Sequence, residues 1–168
     1  MGSKFIKNLS GFSILEVIVS FYIVSMGMVG LLSLIIQNTQ VQNINKNDLI
    51  AVQLAQEGTE LVRRVRDNNW LIGNSAFSGI ANTDTTKTFA IDSDALTDNV
   101  LIGDDSARLM VDSGYYLHSG SDPSNFRRII ETTNYSSASS TEVDCRVQWT
   151  EKNQVHEQVV SEILYDWR

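Results

Sequence analysis

The sequence has only one cysteine, one proline and two histidines among its 168 residues. The lone Cys145 cannot form an intramolecular disulfide, so any folded domain depends on its packed core. His118 and His156 do not occur in the H-x₃₋₅-H or H-E-x-x-H spacings of zinc sites, and neither a G-x-S-x-G sequence nor a phosphate-binding glycine loop is present. The residues nominate no catalytic group, cofactor or metal site, and we expect a protein that is not an enzyme.

Basic residues are also few, with 13 Lys and Arg against 20 Asp and Glu and a formal net charge of −7. Non-specific nucleic-acid binding depends on Lys and Arg that neutralise phosphates, so the composition gives no direct evidence for such a partner. The acidic residues between positions 71 and 106 do not follow the EF-hand order, and we expect solvated loop acids. Calcium binding by them stays open; the residues are Asp92, Asp94, Asp98, Asp104 and Asp105.

One apolar run stands out against this polar background. From Phe12 to Ile36, 25 residues contain a single charge, Glu16. At ~1.5 Å per residue the run is long enough to cross a ~30 Å hydrocarbon layer. Lys4 and Lys7 precede it and no Lys or Arg follows until position 46, so the positive-inside rule predicts a single span with a cytoplasmic N-terminus. An ionised carboxylate inside such a run costs roughly 2.5–3.5 kcal/mol on insertion scales, so Glu16 needs a partner.

The residues around Gly11 carry a resemblance to a known family. A basic leader from Met1 to Gly11, the junction Gly11-Phe12, and Glu16 as the fifth residue after that junction resemble the class III leader of type IV prepilins and secretion pseudopilins. The resemblance implies cleavage between Gly11 and Phe12 by a prepilin peptidase, with N-methylation of Phe12. The new Phe12 amine would be mostly protonated near neutral pH. We therefore predict that Glu16 pairs with the Phe12 amine of a neighbouring subunit and fixes the register of assembly.

The residues after the span predict that its helix continues. Residues 37–46 are polar but contain no Pro or Gly, and from Ile44 onwards apolar residues recur at three- and four-residue steps. The stretch Ala51 to Trp70 is similar to the same part of minor pilins of the pilus modification class and of minor pseudopilins, which favours a minor subunit. In this helix Gly58 is the position where the backbone comes closest to a strand.

Two glycines, Gly27 and Gly30, interrupt the apolar run. Each weakens a helix by roughly 0.8–1 kcal/mol relative to Ala. They are interpreted either as sites of close helix packing in a bilayer or as a point of helix flexibility in a packed filament, the latter resembling major pilins. The sequence does not decide between the two.

The C-terminal third alternates between apolar and polar residues, which is typical of strands. The pattern predicts a hairpin of Arg108–Val111 with Tyr115–Leu117, a strand at Asn125–Ile130 after a turn at Ser121–Ser124, and a final hairpin of Val143–Thr150 with Val155–Trp167. Cys145 then lies on one face with Val143, Val147 and Trp149 and is interpreted as a small core residue. The stretch from Tyr115 to Trp167 also looks like the head of the minor pilin class.

The expected fold is α+β and pilin-like, with a long N-terminal helix packed against a C-terminal antiparallel sheet. Its predicted parts are a leader peptide at 1–11, a membrane-spanning or filament-core helix at 12–36, an amphipathic continuation at 37–66, and a globular head at 67–168 with loops at 71–106 and the sheet at 107–168.

The leading functional hypothesis is a minor pilin that assembles into a type IV pilus or related filament and acts in its priming or modification. The resemblance implies the cytoplasmic membrane before assembly and the cell surface or a pseudopilus afterwards. It also implies as partners other major and minor pilins, the prepilin peptidase, the assembly platform and the membrane. The alternative is an uncleaved single-pass membrane-anchored binding or sensor protein, in which Glu16 snorkels or is protonated. An anchored hydrolase has the least support.

Overall fold

The computed structural model describes residues 11, 13–81, 86–92, 107–135 and 139–168. These residues form one helix and six strands in an antiparallel sheet of order β3-β2-β4-β5-β6, in which β1 also pairs with β4. The α+β class with a long apolar N-terminal helix is therefore confirmed. The elements are α1 Ile14–Leu71, β1 Thr86–Phe89, β2 Arg108–Asp112, β3 Tyr115–Leu117, β4 Asp122–Tyr135, β5 Ser140–Glu151 and β6 Gln154–Tyr165.

The chain divides into two compact units. We call the part up to Asn43 the N-terminal unit and the part from Ile44 to Arg168 the head unit. The sequence pattern had suggested a change of character at residue 37, where the apolar run ends. The contacts instead divide the chain at residue 43, shortly before the first partly buried positions of α1.

Helix α1 ends at Leu71, beyond the predicted limit near residue 66. The amide groups of Gly73 and Asn74 donate to the carbonyls of Trp70 and Asn69, at 3.3 and 2.8 Å. Gly73 has φ +80, so these bonds form the Schellman motif that commonly ends a helix with a glycine in the left-handed region. In the last turn of α1 the buried side-chain amide of Asn69 donates to the carbonyls of Ala76 and Ser78.

In the head unit, α1 buries one face at the predicted three- and four-residue spacing. The residues of that face include Ala51, Leu54, Ala55, Leu61 and Val62. The apolar side of the sheet supplies the other half of the core, from Ile130, Val143, Cys145 and Val147 among others. The close approach expected at Gly58 is present, since an added Cβ there would overlap Cys145 Sγ and lie 3.3 Å from Arg128 Cδ.

Two tight turns set the register of the sheet. Strands β2 and β3 are joined through Ser113 and Gly114, and β5 and β6 through Lys152 and Asn153. The last two residues have φ values of 49 and 63, as the type I′ hairpin turn requires. Both hairpins had been predicted, and strands β2, β3, β5 and β6 lie within a few residues of the expected ranges.

Strand β4 differs from its prediction. The proposed turn at Ser121–Ser124 is wrong, because β4 begins at Asp122 and continues for 14 residues. Pro123 is the second residue of the strand and lies opposite Met110, next to a shift of register between Arg108 and Met110. A proline is compatible with a strand at its start or beside such an irregularity.

Strand β1 lies in the region expected to be loops only. It pairs with β4 from Thr86↔Thr133 to Phe89↔Ile130, on the edge of β4 that β2 occupies nearer its start. Strand β4 is thus long enough to pair with two strands in succession on one side. Four of the five acidic residues singled out in this region, Asp94, Asp98, Asp104 and Asp105, lie outside the described residues.

Candidate functional site

The apolar part of α1 exposes its side chains along the N-terminal unit. Large apolar residues from Ile14 to Ile36 are exposed on every side of the helix, and none of the described residues before position 44 is buried. The helix is long and apolar enough to cross a membrane. This confirms, by length and composition, a segment suited to membrane anchoring near the N-terminus.

Three hydroxyl side chains of the N-terminal unit donate hydrogen bonds to carbonyls of the same helix. Ser20 donates to the carbonyl of Glu16 at 2.8 Å, Ser25 to that of Phe21 at 2.7 Å, and Thr39 to that of Ile35 at 2.9 Å. Hydroxyls that bond to the preceding turn expose no unpaired donor, which a helix in an apolar medium requires. These groups therefore need nothing from outside the chain.

Glu16 is different, because its carboxylate belongs to none of the ion pairs or side-chain hydrogen bonds of the described residues. It lies in the first turn of α1, which begins after Ser13, whose carbonyl accepts the Val17 amide at 3.2 Å. A negative charge there is stabilised by the helix macrodipole, by about 0.3–1 kcal/mol at an exposed site. Ser13-x-x-Glu16 also matches the capping-box pattern, a helix-start signal that the sequence reasoning missed.

The other residues singled out in the N-terminal unit are placed as follows. Gly11 is described and exposed, whereas Phe12 lies outside the described residues. Helix α1 is continuous through Gly27 and Gly30, and a Cβ added at either would meet no atom within 4 Å. Both interpretations of these glycines, close packing and flexibility, thus remain predictions.

The head unit contains a buried charge that the sequence reasoning did not identify, Arg128 on β4. Its side chain has 0 % exposure. It donates to the carbonyls of Leu54 at 3.3 Å and Ile91 at 3.1 Å, and its guanidinium lies 3.2 Å from Glu57. A signal existed, because alternation along β4 places Arg128 on the same face as the buried Phe126 and Ile130.

Beside Arg128 is a second buried polar pair. His118 Nδ1 lies 2.6 Å from Asp92 Oδ1, and the His118 amide donates to the same oxygen at 2.8 Å. Burial raises the pKa of the Asp92 carboxyl, but the hydrogen bonds and charge of His118, with the charge of Arg128, outweigh this and lower the pKa below its usual value. Asp92 is therefore not the solvated loop acid that we expected.

Cys145 lies in the core next to Arg128, as its place in the alternating strand predicted. Burial raises the pKa of its thiol to about 12, so the thiol stays neutral at physiological pH.

Among the described residues, no group of three or more His, Cys, Asp and Glu side chains could hold a metal ion. His156 stacks on Trp149 with ring centroids 5.3 Å apart. The arrangement around Arg128 joins α1 to the sheet and offers no nucleophile.

An open groove of about 800 Å³ lies between α1 and the β2–β3 hairpin. Apolar and aromatic side chains line it, with Glu57 as its charged residue, and the walls include Ile50, Leu54, Tyr115 and Tyr116.

No family model, curated protein or solved structure matches this chain.

Proposed function

We propose that this chain is a minor pilin subunit of a type IV pilus or a related filament, acting in filament priming or modification. The leader 1–11 is removed between Gly11 and Phe12, and Phe12 is methylated. The apolar part of α1 first anchors the chain in the cytoplasmic membrane and then packs among the helices of other pilins. The proposal rests on the leader pattern of the sequence together with one structural observation, the carboxylate of Glu16.

That observation is a contrast within one helix. The hydroxyls of Ser20, Ser25 and Thr39 have acceptors in the helix, while Glu16 has no ionic partner in the described part of the chain. A carboxylate on an apolar helix surface is costly unless it is paired, so its partner has to come from another molecule. The free amine of Phe12 in an adjacent subunit supplies a positive charge at the matching end of an identical or similar helix.

The mass of the mature chain tests the processing step. The protein is expressed in cells that contain a prepilin peptidase and in a strain lacking it, and both forms are analysed by intact mass spectrometry. We expect loss of Met1 to Gly11 and one added methyl group only where the peptidase is present. An intact N-terminus in both strains would contradict the proposal and favour the uncleaved anchored binding or sensor protein.

Glu16→Gln tests the assembly step, because it removes the charge and keeps the size of the side chain. We expect normal membrane insertion and processing but strongly reduced recovery in sheared filaments, since the Phe12 amine of the neighbour is left unpaired. Ser20→Ala, one turn further on, is the control and should assemble normally because the Ser20 hydroxyl is satisfied within its own helix. Assembly of Glu16→Gln at the level of the unaltered chain would remove this role from Glu16.

A further inference from the structure

The two edges of the sheet are very different in length. One side ends in two short strands, β3 of 3 residues and β1 of 4, and the other side ends in β6, a strand of 12 residues. Strand β6 pairs only with β5 among the described strands. In an antiparallel ladder every second residue of an edge strand directs its N–H and C=O away from the sheet, so β6 presents a row of backbone donors and acceptors that no other described strand pairs with.

Strand β6 lacks several of the features that commonly protect such an edge, although it carries Glu157 and Glu162. Its pairing with β5 runs from Ser140↔Tyr165 to Glu151↔Gln154 without a bulge. The strand contains no proline, lysine or arginine. Natural sheets commonly block long edges with bulges, prolines and charged side chains such as lysine, because an unprotected edge pairs with other extended chains.

Exposed apolar side chains accompany the free edge. Val155, Val159 and Ile163, on one face of β6, are 70, 43 and 51 % exposed. Tyr165 and Trp167 continue the same alternation at the end of the strand and are exposed as well. A strand added beside β6 would cover these residues with side chains at its own alternate positions.

The charges of β6 indicate which strand fits. Its acidic side chains are Glu157 and Glu162, which Arg146 of β5 and Arg63 of α1 contact. The whole chain carries a net charge of −7, so a second acidic copy is electrostatically disfavoured at this edge. A strand that carries Lys or Arg between its apolar residues complements it.

We propose that β6 is a docking edge for an extended segment of another protein, apolar at alternate positions and basic between them, which joins the sheet as a further strand. Main-chain hydrogen bonds to β6 supply the affinity, and the row Val155, Val159 and Ile163 selects the partner's side chains. The contacts proposed for β6 do not involve Glu16, so this proposal does not depend on whether the chain is a pilin.

The test uses the full chain in detergent micelles and a synthetic peptide of about ten residues in which valine alternates with lysine or threonine. Every second amide of the peptide is N-methylated, so that it cannot assemble with itself. We expect saturable binding and slowed hydrogen exchange at alternate amides of β6. A peptide with glutamate in place of lysine should bind about tenfold more weakly.

Two variants locate the binding. Val159→Lys places a charge on the free edge and should weaken peptide binding about tenfold, whereas Tyr115→Lys adds the same charge to an exposed position of β3, at the opposite edge of the sheet, and should not. Val159→Thr keeps the β-branched shape and replaces Val159→Lys in the binding measurement if the lysine variant folds poorly. Absence of slowed exchange in β6, or equal binding by all variants, would overturn the proposal. Self-association of the full chain that Val159→Lys abolishes would overturn it in favour of a second copy.

Discussion

Glu16 and Arg128 are both charged residues in apolar surroundings, but they differ in their partners within the described part of the chain. In the head unit Arg128 is completely buried, and two carbonyls and a carboxylate of the same chain surround its guanidinium. In the N-terminal unit Glu16 has no ionic partner among the described residues. A buried charge with internal partners makes the fold sensitive to the loss of either partner, whereas for a charge without them we propose a partner in another molecule.

Arg128→Met should have the largest effect on stability, because it keeps much of the apolar stem and removes the buried charge. We expect the head unit to lose about 2–4 kcal/mol of unfolding free energy, because the carbonyls of Leu54 and Ile91 lose a buried charged donor; Glu57 adds little, since its side chain is 42 % exposed and can be solvated. Chemical denaturation of the full chain in micelles measures this. Arg146→Met, at a partly exposed arginine paired with Glu157, is the control and should cost no more than about 1 kcal/mol. Equal losses in the two variants would mean that Arg128 acts only through packing.

Asp92→Asn tests the neighbouring buried pair. The folded pKa of Asp92 is below its unfolded value of 3.8, so its contribution is fully present above about pH 4 and is lost as the pH falls through the folded pKa. We expect the substitution to cost about 1.5–3 kcal/mol at pH 7, as for a hydrogen bond to a charged group. Stability should also fall less steeply below pH 4 than in the unaltered chain. Asp144→Asn, on the other face of the sheet, is the control for the removal of one carboxylate from the chain; a pH profile unchanged by Asp92→Asn would contradict the assignment.

Gly58→Ala tests how tightly α1 is packed beside Arg128. The added methyl overlaps Cys145 Sγ, so we expect a loss of about 1–3 kcal/mol in spite of the better helix propensity of alanine. Cys145→Ala in the same chain removes the overlapping sulfur and should restore part of the loss. A double-mutant cycle from denaturation curves measures the coupling. Strictly additive effects would show that the two residues do not limit each other.

Trp167→Ala gives the smallest expected effect and sets the scale for an exposed contact. Trp167 is 72 % exposed and lies edge-on to Trp70, with ring centroids 4.7 Å apart. Removing it should cost about 0.5–1.5 kcal/mol, the range for an aromatic pair. Trp167→Phe should retain most of the contact. A loss as large as that of Arg128→Met would indicate that the end of β6 contributes far more than its exposure implies.

The features predicted correctly are those written in a local pattern. The spacing of Leu54, Gly58 and Leu61 gave the buried face of α1, and strict alternation gave the inward position of Cys145. Strand β1 was not predicted, because its four residues form a strand only through pairing with β4, more than 40 positions away. A segment that short carries too little periodicity to be recognised alone.

The polar contacts of the head unit were missed for a related reason. The pair of Asp92 and His118 joins residues 26 positions apart, and neither belongs to a motif. Arg128 was overlooked because an arginine in a strand is expected to be exposed, although its neighbours Phe126 and Ile130 share its face. In the N-terminal unit Glu16 stands out in the sequence as the single charge of the apolar run, and its pairing with another subunit stays a prediction. The match of Ser13-x-x-Glu16 to the capping-box pattern was not noticed.

The turn at Lys152 and Asn153 has a consequence for the order in which the head unit folds. It joins β5 and β6 by residues adjacent in sequence, so this hairpin closes a short loop, and isolated hairpins form in about 1–10 μs. The contact of Asn47 with Glu151, in contrast, closes a loop of 104 residues. Because distant contacts cost more chain entropy before they stabilise anything, the hairpin is expected to form early and α1 to dock onto it late. Strand β6 then spends the early part of folding with its neighbour β5 already in place and its other edge open to any extended chain nearby.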